Sequence, residues 1–218
     1  MKQAEKNKKS RIQIINAAIK LYAYAGGPEI SLNELCRENN ISKGKFYHYF
    51  SSKDELFKVS TNYIISELCK DIESYNVSSD KTIEENFKDY YSQRIKFWIS
   101  HSDYFMILYD ILTNHDYEYK KQFVPLLEQY RSTLQYKTME MIHTVNFEKK
   151  ISDSELFDVI KSVFESMFIK DLYKIIITQR NGYETYAKKL SDDLLDFYSR
   201  LINVLLYGIF NKETPEDK

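Results

Sequence analysis

Between Ser31 and Leu56 the chain reads SLNELCRENNISKGKFYHYFSSKDEL, and three helix starts are written into that span. Ser31 stands three residues before Glu34, and Ser52 three before Glu55. Both pairs fit a capping box, in which a side-chain oxygen and a carboxylate satisfy two orphan amide donors reciprocally. Between them, after the Asn39-Asn40 break, Ser42 caps a short helix that carries Lys43, Lys45, Tyr47 and His48. A short helix, a tight turn and a second short helix rich in basic and aromatic hydrogen-bonders is the arrangement that a helix-turn-helix places in the DNA major groove.

The rest of the chain keeps a helical period almost throughout. Five Gly and three Pro in 218 residues offer little opposition to long helices. A first helix is predicted from about Ser10 to Tyr24, burying Ile12, Ile15, Ala18, Ile19 and Tyr22. Gly26-Gly27-Pro28 stops it. The fourth helix starts at Lys53 and carries Leu56, Val59, Tyr63, Ile64 and Leu68 on one stripe to about Tyr75, before the polar break at residues 76–80. Further helices follow to about Ser100, from Asp103 to Leu112, and from Tyr117 to Thr144, the last kinked or started by Pro125. Two long helices, Ser154 to Thr178 and Tyr183 to Phe210, close the chain, with polar tails at Met1–Lys9 and Lys212–Lys218. The expected fold is all-α, with about nine helices. A DNA-binding domain over residues 1–54 precedes a helical body over 55–218, and a linker helix from about 53 to 75 joins them.

Charge divides along the same line. The net charge is −1, but residues 1–54 hold ten Lys/Arg against five Asp/Glu, and residues 55–218 hold twenty-one against twenty-seven. A basic head on an acidic body suits a polyanion partner for the head. Cys36 and Cys69 fit neither a CxxC nor a zinc spacing and read as reduced thiols of a cytoplasmic protein. No signal-peptide core or apolar run of about 20 residues is present, so no membrane partner is expected. The four histidines form no HxxxH or HExxH, and no P-loop, GxGxxG or GxSxG occurs, so no enzyme, cofactor or metal is expected. His115-Asp116, or His101 with Asp103, is half a dyad at most and reads as surface turn.

The run ISKGKFYHYFSSKDEL resembles the recognition-helix signature of the TetR family of bacterial transcriptional regulators. Its places are filled here by Ser42, Lys43, Gly44, Tyr47, Tyr49-Phe50 and Ser52-Lys53-Asp54-Glu55-Leu56. Ile14 to Gly27 is similar to that family's first helix and closing turn. The resemblance covers roughly residues 10 to 58, about a quarter of the chain. It implies that Tyr47 and Lys53 meet phosphates, with Lys53 beside a helix's positive end. His48 then faces the backbone or a base. From the residues alone, Lys43 and Lys45 reach guanine or phosphate, and Ser31 and Asn33 can bond a phosphate. Gly44 lowers helix propensity by about 1 kcal/mol, which fits a close approach of DNA to the backbone. Phe46, Tyr49 and Phe50 read as core. Lys2, Lys6, Lys8, Lys9 and Arg11 form a basic tail, which in this family can follow the minor groove.

The body holds most of the 19 Tyr and 13 Phe. Aromatics at helical spacing are ordinarily core, but the resemblance implies an effector-binding domain. Trp98, Phe105, Tyr109, Tyr130, Phe164 and Phe168 are its candidate lining for an apolar or aromatic small molecule. The last two helices are apolar over more than one face, through Leu156, Ile160, Val163, Met167, Ile176, Leu190, Leu194, Phe197, Leu201, Leu205 and Tyr207. They are the expected homodimer surface, which would set two recognition helices about 34–36 Å apart on a palindromic operator. The function expected is a repressor released by its effector. The alternative is a DNA-bound adaptor or activator whose body recruits a protein partner.

Overall fold

The structure, a computed structural model, describes residues 2–25, 30–144 and 151–210. Among them are ten helices and no strand: α1 Lys2–Ala25, α2 Leu32–Glu38, α3 Lys43–Tyr49, α4 Lys53–Ser74, α5 Ile83–Ser100, α6 Ser102–Thr113, α7 Tyr117–Lys121, α8 Val124–Ile142, α9 Asp153–Arg180 and α10 Glu184–Phe210. The count exceeds the expected nine because residues 117–144 form two helices, with Pro125 in the first turn of α8. There its missing N–H would have had no partner anyway. The expected polar tail over Met1–Lys9 is also corrected, since α1 is helical from Lys2. Ala, Gln, Glu and Lys are good helix formers, and no Gly or Pro stands before residue 26. The Gly26-Gly27-Pro28 stop and the Lys212–Lys218 tail lie outside the described residues.

Two compact units are present. One comprises Met1–Leu68 and His101–Gln129, the other Cys69–Ser100 and Tyr130–Lys218. α4 and α8 therefore each begin in the first unit and continue into the second.

The core of the first unit joins Ile14, Ile15, Ala18, Ile19 and Tyr22 of α1 to Leu35, Phe46 and Phe50, and to Leu56, Phe57 and Ile64 of α4. Ile107 and Ile111 of α6 complete it with Phe123. Ile12, expected inside, is only half-buried, and Ile14 takes the core position. α6 thus packs on α1, and the Tyr119 and Phe123 rings meet Phe57 of α4, a grouping that the sequence does not give.

In the second unit α10 packs on both α5 and α9. The polar break before α5 is tied down by buried Asn86, whose amide nitrogen donates to the Ser78 carbonyl at 2.8 Å while its Oδ1 accepts from the Ser78 N–H at 3.0 Å. The Tyr75 hydroxyl donates to the Asn86 carbonyl at 2.9 Å. A capping box opens α9, with Ser152 and Glu155 each accepting the other's N–H. A second one opens α5, where the Thr82 N–H donates to Glu85 at 2.8 Å and the Glu85 N–H to Thr82 Oγ1 at 3.2 Å.

Candidate nucleic-acid interface

Three caps build the exposed surface of the first unit. Ser31 Oγ accepts the Glu34 N–H at 3.0 Å, and Ser42 Oγ accepts the Lys45 N–H at 3.1 Å. Ser52 Oγ accepts the Glu55 N–H at 3.1 Å, but the Glu55 carboxylate turns back to Ser51, taking both its N–H and its hydroxyl at 2.6 Å. Those two donors hold the Glu55 carboxyl below the usual carboxylate range. The turn between α2 and α3 closes with the Ile41 N–H on the Cys36 carbonyl at 2.9 Å, as in a Schellman motif. Asn40 takes the left-handed conformation there, at φ 52°, which Asn tolerates better than most residues.

The caps orient α3 so that its two faces separate cleanly. Phe46 is fully buried, and Phe50, just beyond the helix, is nearly so. Ser42, Lys43, Gly44, Tyr47 and His48 are exposed, Tyr47 at 58%. Ser31 and Asn33 at the start of α2 are exposed too, while Lys45 is half-buried. Tyr49 is half-buried and packs on the core through its partly apolar ring. The Arg11 guanidinium lies over the Phe50 ring, 5.2 Å from its centroid, which ties α1 to the end of the recognition segment. Lys53 is turned inward: its Nζ donates to the Ile30 carbonyl at 2.8 Å. The Tyr22 hydroxyl donates to the Lys53 carbonyl at 3.4 Å, and the Tyr22 ring meets Phe57 edge-on at 4.9 Å. The first turn of α4 is therefore pinned to α1 and to the segment leading into α2.

Residues 14–59 match the model of bacterial regulatory proteins of the tetR family. The match spans the head alone, from within α1 into α4. A fifty-residue segment is 46% identical to YuxN, an uncharacterised HTH-type transcriptional regulator of Bacillus subtilis (strain 168). That segment is 23% of this chain and only 17% of YuxN. In overall fold the chain is similar to the fatty acid degradation regulator FadR of Bacillus halodurans, with TM-score 0.64 and 16% identity over 85% of this chain and 94% of that one. It is likewise similar to FadR of Bacillus subtilis, solved in complex with stearoyl-CoA, with TM-score 0.57 and 17% identity over 86% and 97%.

Outside the matched segment, the six aromatic candidates of the body fall in two places. Phe105 and Tyr109 belong to α6 in the first unit, their rings 5.7 Å apart. Trp98, Tyr130, Phe164 and Phe168 belong to the second. There the organising residue is Arg94 of α5, which is fully buried. Its Nη1 donates to Glu165 Oε1, and its Nη2 donates to Glu165 Oε2 at 2.9 Å and to the Tyr130 hydroxyl at 2.8 Å. The Tyr91 hydroxyl donates to Glu165 Oε1 at 3.1 Å. The guanidinium lies 4.5 Å from the Phe168 ring centroid and 5.2 Å from that of Tyr91, while Phe164 stacks on Tyr91 at 5.7 Å. Burial opposes the charge on Arg94, yet Glu165 and the surrounding tyrosines outweigh it and hold the guanidinium protonated. Burial likewise pushes the Tyr91 and Tyr130 hydroxyls well up. Sequence reasoning did not single out Arg94 or Glu165. The signal was there: Arg94 follows Tyr90 by four residues and precedes Trp98 by four, so it shares their buried stripe.

α9 and α10 each present two apolar faces. Leu156, Ile160, Phe164, Phe168, Leu172 and Ile176 are buried within the unit, as are Tyr198 and Ile202 of α10. The other face exposes Val159, Met167, Phe197 and Val204, and an open groove of about 330 Å³ lies among Met167, Ile175, Leu190, Leu194 and Phe197. Tyr207 lies outside the described side chains. Among the described residues no cluster of His, Cys, Asp and Glu could hold a metal, and no helix is long and apolar enough to cross a membrane.

Proposed function

We propose that this TetR-family transcriptional regulator is a homodimeric repressor that binds a palindromic operator and leaves it when an apolar or aromatic effector enters the second unit. The observation that carries the reading is the split character of α3. Phe46 is sunk in the core while Ser42, Lys43, Gly44, Tyr47 and His48 stand exposed on one short, capped helix. Such a helix offers donors to base edges and phosphates together. Ser31 and Asn33 supply further phosphate contacts from α2. Lys45 and Lys53 join once their ammonium groups swing outward, and Lys53 has two donors beyond the one that Ile30 takes.

The aromatic surroundings of Arg94 support an effector with a large apolar part. So does the stearoyl-CoA complex of the fold neighbour from Bacillus subtilis. The outward apolar face of α9 and α10 supports the homodimer, because an unpartnered face of that kind is a liability on a monomer. Release follows by linkage: an effector shifts DNA affinity only by the difference in its affinity for the two states. α4 and α8, each continuous from one unit to the next, are the elements able to carry that difference.

Genomic footprinting of the purified protein at two salt concentrations tests the reading. Discrete palindromic sites whose occupancy falls steeply with salt are expected. Diffuse binding at both salts would remove the sequence reader, and enhanced transcription from a bound site in a reconstituted assay would replace the repressor with an activator.

A further inference from the structure

We propose that the groove between α1 and α4 is a binding site for a small carboxylate with an apolar body, independent of any effector in the second unit. The groove has a volume of about 260 Å³ and is lined by residues of the first unit. That is about nine waters' share of liquid, room for one or two rings or a short chain. Its lining is apolar on both helices: Ile15 is buried, and Ile12 and Val59 are half-buried. Ile12 is the residue that the helical period assigns to the core, and it lines this groove instead. Tyr63 adds its ring, which meets that of Tyr104 edge-on at 6.3 Å. Lys8 and Arg11 stand exposed on α1 beside these residues, and no acid belongs to the described lining.

Charge and surface together name the occupant. Among the described residues neither Lys8 nor Arg11 is in an ion pair; Arg11 lays its guanidinium over the Phe50 ring, which engages its face and leaves the N–H donors at its edge. The Glu55 carboxylate feels the Arg11 charge, but it is committed to Ser51 and lies outside the lining. An anion is therefore favoured in the groove and an ammonium opposed. DNA phosphates would satisfy the two cations yet put nothing on Ile12, Ile15 and Val59. A molecule with an anionic head and an apolar body uses both. A dianionic phosphate head costs more to dehydrate beside that apolar surface than a singly charged carboxylate does, which selects the carboxylate. Asn62, exposed on α4, offers it an amide donor.

The test is calorimetric titration of the full-length protein with four matched probes: 2-naphthoate, 2-acetylnaphthalene, 2-naphthylmethylammonium and 2-naphthyl phosphate. The carboxylate is expected to bind, and each of the other three at least about tenfold more weakly. Lys8→Gln, which removes one charge from an exposed position, is expected to weaken 2-naphthoate by about tenfold. Asn62→Trp, which fills the groove from its exposed edge, is expected to abolish that binding. Should Asn62→Trp not fold, photolabelling of the unaltered protein with 4-benzoylbenzoate decides, and its adducts must map to α1 and α4. Adducts confined to the second unit, or 2-naphthoate affinity unchanged in both variants, would place the acid elsewhere and overturn the site. Phosphate or ketone binding as tight as the carboxylate would overturn the class. Operator binding weakened by Lys8→Gln, with no probe bound to the unaltered protein, would assign the cations to DNA phosphates and remove the inference.

Discussion

A Cβ built on Gly44 meets nothing within 4 Å, so the missing side chain serves no contact inside the protein. Its cost to α3 is then left to be explained by a close neighbour outside the chain. Gly44→Ala should stabilise the protein by about 1 kcal/mol, roughly 2–4 °C in melting temperature for a chain of this size. It should weaken operator binding at the same time. Thermal melts beside gel-shift titration check both, and a variant that is more stable and binds as well would refute the close approach. Lys43→Ala and Tyr47→Phe should each weaken operator binding by about 1–3 kcal/mol with no change in melting temperature; unchanged affinity in both would remove these residues from the interface. The capping carboxylates titrate predictably. Ser152 holds Glu155 below its ordinary value of 4.5 through a hydroxyl and an N–H. A lowered folded-state pKa contributes stability above the unfolded value, lost as pH falls through the folded one. Urea melts from pH 6 down to 3 should therefore show a shallower acid decline for Glu155→Gln than for the unaltered protein. The Ser-x-x-Glu spacing was legible in the sequence, since a cap is local. That Glu55 would choose Ser51 over Ser52 was not, because hydroxyl and amide directions at a helix start depend on the backbone leading into it.

Helices were legible wherever a local signal marks them. The starts of α2, α3, α4 and α9 agree with their serine caps, and the residue 76–80 break falls where the polar run predicts it. The Thr82–Glu85 box follows the same rule and could have been read from its spacing. What local pattern could not give is partnership. Nothing in the local sequence says that Ile107 and Ile111 of α6, with Phe123, join the core built by α1 and α4, because those contacts join residues distant in the chain. Arg94 is the sharper case. A lone arginine among aromatics reads as exposed by composition, and only its place on the stripe of Tyr90 and Trp98 marks it as internal. Its partner Glu165 lies on another helix, out of reach of any spacing rule. Removing one member of such a pair strands the other. Arg94→Met should destabilise the protein by about 3–5 kcal/mol, and a double variant with Glu165→Leu should regain most of that, since two apolar groups leave no charge behind. Chemical denaturation of both variants checks this; an equally unstable double variant would mean that the cluster's role lies in packing alone.

At the scale of the whole molecule, the proposed function requires two heads to meet one palindromic operator. The outward face of α9 and α10 is the surface proposed to bring them together. Met167 and Phe197 are each 37% exposed and Val204 is 65% exposed, on helices whose opposite faces are fully buried. Leu190, Leu194 and Ile175 line the groove between them. Bringing two copies together on these faces covers apolar surface on both, at about 25 cal/mol for each Å² removed from water. A twofold axis makes the same residues meet themselves. Phe197→Glu is the decisive substitution, because it sets two carboxylates against each other across the axis while facing water in a single copy. Sedimentation velocity at micromolar concentration should give a dimer for the unaltered protein and a monomer for the variant, with far-UV circular dichroism unchanged. The heads of the variant remain intact, so its binding to half of a palindromic site should persist while its affinity for the whole site falls toward that of the half. A monomer in both proteins would show that one copy reads DNA alone. A dimer in both would move the interface to another face.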